Sequence, residues 1–105
     1  MIDVIQERLA KTRELMTEKQ IDAFLVLIEE NRRYLSGFTG EDHQFDESAG
    51  ALLITADAQI LVTDSRFELQ AQNEAPLYEV VIYRNALAKE LALLVDRFLI
   101  RRLGF

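Results

Sequence analysis

Residues that could do chemistry gather at three places in the chain. The first is residues 41–48, Glu-Asp-His-Gln-Phe-Asp-Glu-Ser, which hold four carboxylates and the only histidine. Asp42, His43, Asp46 and Glu47 are of the types that ligate zinc or manganese. One polar loop seldom fixes a full ligand set, however, and no His-Glu-x-x-His spacing occurs. A solvated acidic loop is the simpler reading, and His43 touching a ligand or a second subunit is an intermediate one. The second place is Thr63-Asp64-Ser65-Arg66-Phe67. Here an Arg at a strand end could read a substrate carboxylate bidentately. The local alternative, which the spacing favours, is that Asp64 caps a helix and Arg66 makes an ion pair nearby. The third is Arg32-Arg33, either an anion site or one exposed residue beside one structural ion pair, the second being commoner.

Other chemistries lack their parts. A single histidine would have to serve every purpose in a Ser/His/Asp triad. Gly37 and Gly40 do not have the spacing of a phosphate loop. With no cysteine there is no disulfide, no thiolate metal site and no thiol nucleophile. Taken alone, nothing in these residues makes an enzyme.

The elements that must position these groups follow from periodicity. Ile5, Leu9, Thr12 and Met16, widened by Leu15, predict a helix over 2–19 with Asp3 as its cap. The unbroken apolar run 23–28 predicts a strand buried on both faces. Asn31 is expected to cap a short helix over 32–36, with Tyr34 and Leu35 turned inward and Gly37 as its stop. Residues 50–55 and 59–63 predict a hairpin around Ala56-Asp57-Ala58, a loop without the usual glycine. A helix over 66–73, a strand over 78–83 and a helix over 86–103 capped by Asn85 complete the chain. The fold class is therefore α/β, a mixed sheet with flanking helices in the order α-β-α-β-β-α-β-α. About four strands are expected, with a further one opening at Phe105.

Length and charge narrow the function. The 105 residues make one domain, and half of them are apolar, enough for a core. Twelve basic against 18 acidic residues, net −6, argue against nucleic acid as the main partner. No apolar run approaches the roughly 20 residues of a membrane span, and residues 1–8 lack the pattern of a signal peptide. A cytoplasmic setting is expected. Leu103-Gly104-Phe105 closes the chain without a polar tail, so a larger protein is expected to continue beyond it.

Residues 30–40, Glu-Asn-Arg-Arg-Tyr-Leu-Ser-Gly-Phe-Thr-Gly, resemble the signature of the amino-terminal domain in the creatinase/prolidase/aminopeptidase P family. Three further elements match in order. Arg8-Leu9-Ala10-Lys11 through Lys19-Gln20-Ile21-Asp22-Ala23 looks like the family's first helix and its lead into a strand. Residues 51–64 look like its hairpin, ending in Thr-Asp-x-Arg-Tyr/Phe with Phe67 where Tyr is common. Leu103-Gly104-Phe105 looks like the Leu/Ile-Gly-Phe that opens a final strand. The resemblance implies a ribonuclease H-like mixed sheet. It also implies a carboxy-terminal catalytic domain with two divalent metals, manganese, cobalt or zinc, on two Asp, one His and two Glu. That ligand set maps onto no residue here. The parent would cleave Xaa-Pro peptides as a dipeptidase or aminopeptidase.

By the same resemblance, this domain contributes to a homodimer and sends the loop 38–45 towards an active site. Phe38, His43 and Phe45, with Arg66 as a further candidate, would narrow the substrate entrance. Two rival expectations are a protein-binding module from a catalytically inactive relative and the amino-terminal domain of a creatinase-like amidinohydrolase. The metal ligands after Phe105, or their absence, separate the first from a peptidase, and a substrate assay separates the second. A strand edge opened at Phe105 would leave apolar surface exposed, so the 105-residue chain is predicted to self-associate. Sedimentation over a wide concentration range checks this, a clean monomer throughout counting against it.

Overall fold

Side-chain alternation in the strands divides the apolar residues between the two faces of one sheet. The computed structural model of the chain describes residues 2–42 and 48–105. Its strands are β1 (Ala23–Val26), β2 (Gly50–Thr55), β3 (Gln59–Thr63), β4 (Glu79–Ile82) and β5 (Leu103–Gly104), in the spatial order β4-β3-β2-β1-β5. The β1/β2 and β2/β3 pairs are antiparallel, whereas β1/β5 and β3/β4 are parallel. On one face Phe24, Val26, Leu52, Ile54, Leu61 and Val80 pack with α1 (Ile2–Lys19), α2 (Glu29–Ser36) and α3 (Glu68–Glu74). On the other, Ala23, Leu53, Ile60, Val62 and Val81 meet Leu87, Leu91, Leu94 and Phe98 of α4 (Leu87–Arg97) and the turn after it. The mixed sheet with flanking helices is as expected.

Several boundaries differ for identifiable reasons. The apolar run 23–28 is strand only to Val26, and Leu27 and Ile28 are exposed rather than buried on both faces. Helix α2 begins at Glu29, with extended Ile28 before it and no side-chain cap, so Asn31 lies inside the helix. Glu29 and Glu30 in its first turn favour that start through the helix dipole. Tyr34 points outward, half exposed, with the Arg8 guanidinium 3.9 Å above its ring. Leu15 and Leu69 are likewise exposed. The hairpin loop has no glycine because α1 supplies a clamp. Arg13 donates to the carbonyls of Thr55 (2.8 Å) and Ala58 (3.0 Å) and to Gln59 Oε1 (2.7 Å).

The last helix is the largest departure. It starts after extended Ala86, without a cap from Asn85, and stops at Arg97 instead of reaching residue 103. Leu99 takes a left-handed φ of 54°, the Leu99 N–H returns to Asp96 O, and the Ile100 N–H returns to Val95 O. These two bonds are the Schellman pattern, closed here by leucine instead of glycine. Helix α1 ends the same way, with Gln20 at φ 57° and Ile21 N–H on Met16 O. Asp22 stitches the two exits together. Its carboxylate accepts from the backbone N–H groups of Arg101 (3.0 Å) and Arg102 (2.9 Å), and its own N–H donates to Arg102 O. Those N–H groups hold the Asp22 carboxyl below its ordinary range. The chain thus re-enters the sheet as β5, so the fifth strand opens at Leu103, before Phe105.

Leu99 is 81% exposed, so its side chain offsets little of the cost of a left-handed backbone. Leu99→Gly is expected to stabilise the domain by about 0.5–1 kcal/mol, the gain being reduced by the extra freedom of glycine in the unfolded chain. Urea denaturation midpoints at constant slope measure it.

Candidate functional site

Two parallel strands ending side by side border an open concavity. Thr63 of β3 pairs with Ile82 of β4, so the segments that follow leave the sheet at one end. Gly50 pairs with Thr63, which brings the start of β2 to the same end. An open hollow of about 930 Å³ lies there, lined among others by Ser48, Asp64, Arg66, Tyr83, Arg84 and Asn85. Crevices beyond the carboxyl ends of parallel strands are where open α/β sheets receive ligands.

Arg66 reaches this hollow in a fixed posture. Asp64 accepts from the Arg66 backbone N–H (2.9 Å), which caps the 3₁₀ turn Ser65–Phe67. The same carboxylate accepts from Arg66 Nε at 3.0 Å and Nη2 at 2.7 Å. The local reading of Asp64 and Arg66 is therefore what the structure shows, while half of the Arg66 side chain remains exposed. Phe67 packs edge-on against Phe38, with ring centroids 5.9 Å apart at 90°. Phe38 itself is a core residue, 1% exposed, lying beneath this end of the sheet rather than on its surface. His43 and Phe45 lie outside the described residues.

The segment that leaves α2 is held by an ionic knot. Gly37 ends the helix at φ 86° with its N–H on Arg33 O. Arg32, 1% exposed, donates to Leu27 O (2.6 Å), to Gly40 O (3.2 Å) and to the Asp42 carboxylate (2.7 and 3.4 Å). Asp42 Oδ1 also accepts from the Ala49 N–H at 2.7 Å, and the Asp42 N–H donates to Glu29 Oε1 at 2.9 Å. On the far side the Thr63 hydroxyl donates to Ala49 O. A second anchor is Glu74, which accepts from the Thr39 N–H (2.8 Å), the Thr39 hydroxyl and Gln70 Nε2. Gly40 has no room for a side chain, since a Cβ there would overlap the Phe38 ring. Of the Arg pair, Arg32 is the structural ion pair and Arg33 the half-exposed member.

These contacts set the carboxylate pKa values. Burial pushes Asp42 upward, but bonds from Arg32, Ala49 and Ser48, together with the guanidinium charge, more than reverse it and hold Asp42 below its ordinary value. Glu74 is similar, with burial outweighed by Thr39, Gln70 and the charge of Arg33. Among the described residues no group of three or more His, Cys, Asp or Glu side chains could hold a metal ion. Asp42, a ligand candidate by residue type, has its carboxylate spent on Arg32 and Ala49. No described helix is long and apolar enough to cross a membrane.

Comparison with known proteins gives the site a context. The profile of the Creatinase/Prolidase N-terminal domain family matches residues 8–105. The chain is 35% identical over 98 residues to the uncharacterized peptidase YqhT of Bacillus subtilis, covering 93% of this chain and 26% of that protein. The Xaa-Pro dipeptidase of Bacillus anthracis superposes with a TM-score of 0.86 at 33% identity, over 96% of this chain and 26% of its own. The N-terminal domain of the cytoplasmic peptidase PepQ from Mycobacterium tuberculosis superposes with a TM-score of 0.80 at 36% identity, covering 94% of this chain and 72% of its own. The chain spans about a quarter of the length of full-length relatives.

Asp42 and Glu74 have folded-state pKa values below their ordinary 3.8 and 4.5, so their stabilisation is full above those values and is lost as pH falls through the lowered ones. Unfolding free energy is expected to be level above roughly pH 5 and to fall below roughly pH 4, with a shallower fall in Asp42→Asn. Urea titrations across this range check it.

Proposed function

Because the chain belongs to the Creatinase/Prolidase N-terminal domain family, we propose that it is the non-catalytic amino-terminal domain of a larger Xaa-Pro dipeptidase or aminopeptidase. One observation carries the reading. Nearly all of this chain matches about a quarter of proteins that bear peptidase names. The remainder of such a protein would be the carboxy-terminal catalytic domain, with two divalent metals, manganese, cobalt or zinc, that activate the attacking water. No described residue here makes a ligand set for them.

The part left to this domain is shape. It would pair with its own catalytic domain and form a homodimer in a cytoplasmic protein. The segment running from Phe38 through His43 and Phe45 would then narrow the entrance for a proline-containing peptide. Arg66 lines the hollow that Ser48, the first described residue after that segment, also lines. Asp64 fixes the orientation of the half-exposed Arg66 guanidinium at that hollow, where it would add to the shape and charge of the entrance. Phe38 would act from below, supporting Phe67 and through it the placing of Arg66.

The test uses the full-length protein and the 105-residue chain side by side, each with manganese and an Xaa-Pro dipeptide. Hydrolysis by the full-length protein alone is expected. Turnover by the chain on its own would sink the non-catalytic assignment, and an inactive full-length protein would favour a binding module.

A further inference from the structure

Arg32 is the one buried guanidinium whose partners come from three separate parts of the described chain. Leu27 O lies at the end of β1, Gly40 O in the segment after α2, and Asp42 at the last described position before residues 43–47. Asp42 passes the constraint onward, because the oxygen that meets Arg32 also accepts from the Ala49 N–H. Ala49 in turn is fixed to β3 by the Thr63 hydroxyl. Asp42 thereby links residues 42 and 49, and Arg32 ties that link to the end of β1. A lysine could not do this. The arrangement uses at least two N–H vectors of a planar fork, aimed at once at two carbonyls and a carboxylate.

Charge neutralisation alone does not explain the arrangement. The Asp42 side chain is 35% exposed and could be solvated without a partner, whereas Arg32 is 1% exposed and could not. A buried arginine is costly unless geometry and hydrogen bonds are complete. Two of its three acceptors, Gly40 O and Asp42, lie on the segment that begins at Phe38, and Ser48, next to the Ala49 that Asp42 holds, lines the same hollow as Arg66. We propose that Arg32 is a positioning residue for peptide selection: acting through Asp42 and Gly40, it fixes the approach of the 38–42 segment to a proline-containing peptide without touching it. This rests on the entrance-shaping role above.

Two measurements test it, with Arg32→Lys and Asp42→Asn as the variants. In the 105-residue chain, amide hydrogen exchange at Ala49 is expected to quicken at least tenfold in both, while Leu53 and Leu61 in the sheet keep their protection. Equal quickening at all three sites would mean general destabilisation and would overturn the proposal, as would no change at Ala49. In the full-length protein, KM for an Xaa-Pro dipeptide is expected to rise about tenfold with kcat within twofold. Since Asp42→Asn removes the carboxylate charge that holds Ala49 and leaves Arg32 in place, it remains informative if Arg32→Lys fails to fold. Wild-type full-length protein that hydrolyses no Xaa-Pro peptide overturns the peptidase reading and the selection role with it. An active wild type whose variants keep KM, or lose kcat and KM together, overturns the role of Arg32 alone.

Discussion

The buried guanidinium of Arg32 is the constraint on which the course of the chain after α2 depends. Burying an arginine is tolerable only when its N–H groups find acceptors, and here two carbonyls and a carboxylate supply them. Breaking a fully buried pair of this kind costs about 3–5 kcal/mol. With Asp42 about a third exposed, the share belonging to the pair itself is smaller, because water can replace Arg32 on the carboxylate but not the reverse. The penalty is therefore one-sided, and the chain must bring acceptors to Arg32. That requirement leaves residues 37–42 one course to follow after α2. Gly37 permits the reversal, Gly40 lets the backbone pass over the Phe38 ring, and Glu74 holds Thr39 from the side of α3.

A second constraint acts at the other end of β1, where that strand begins beside β5. Both α1 and α4 end in left-handed residues that are not glycine, and both exits converge on Asp22. Each local penalty of about 1–2 kcal/mol is offset by what the convergence allows. Two helices from opposite faces of the sheet deliver adjacent parallel strands, with Ala23 opposite Leu103 and Phe24 opposite Gly104. A straight run of α4 to residue 103 would have removed β5 from the sheet. Among the described residues one helix covers that face, so Ile100 and Leu103, just beyond the helix, join its core and supply part of the cover that a second helix would give.

What could be read from the sequence follows the range over which each interaction acts. Period-two and period-3.6 patterns revealed the helices and the antiparallel hairpin, because neighbours in sequence share those faces. The Asp64 cap and the Gly37 stop were legible for the same reason, each acting within about four residues. The Arg32–Asp42 pair spans ten residues with no period, so Asp42 looked like one carboxylate among several in an acidic stretch. The Arg13 clamp on the hairpin reaches 42 to 46 residues along the chain, and a loop without glycine gave no hint of outside support. Leucine at a left-handed position hid the end of α4, since the pattern of apolar residues runs on through Leu99. Leu27 and Ile28 extended the apolar run past the point where the sheet could cover them. Of the four residues named by resemblance, Arg66 lines the hollow, Phe38 is core, and His43 and Phe45 lie outside the described residues.

Phe38 shows how a signature residue can shape a surface from beneath it. At 1% exposure it lies within the core, where it contacts the ring next to Arg66 and fills the space that Gly40 leaves open. An edge-to-face aromatic pair contributes about 0.5–1.5 kcal/mol beyond its buried area and defines the relative orientation of two segments. The stretch 32–40 therefore combines a buried cation, a left-handed glycine, a buried ring and a glycine pressed on that ring. Each fixes direction. Residues chosen to make contact could vary with the substrate, but residues that aim a segment are tied to the backbone they aim. On the entrance-shaping role proposed above, side chains that meet a peptide would belong on the segment itself and around Arg66, while Arg32, Gly37, Phe38 and Gly40 form the mount.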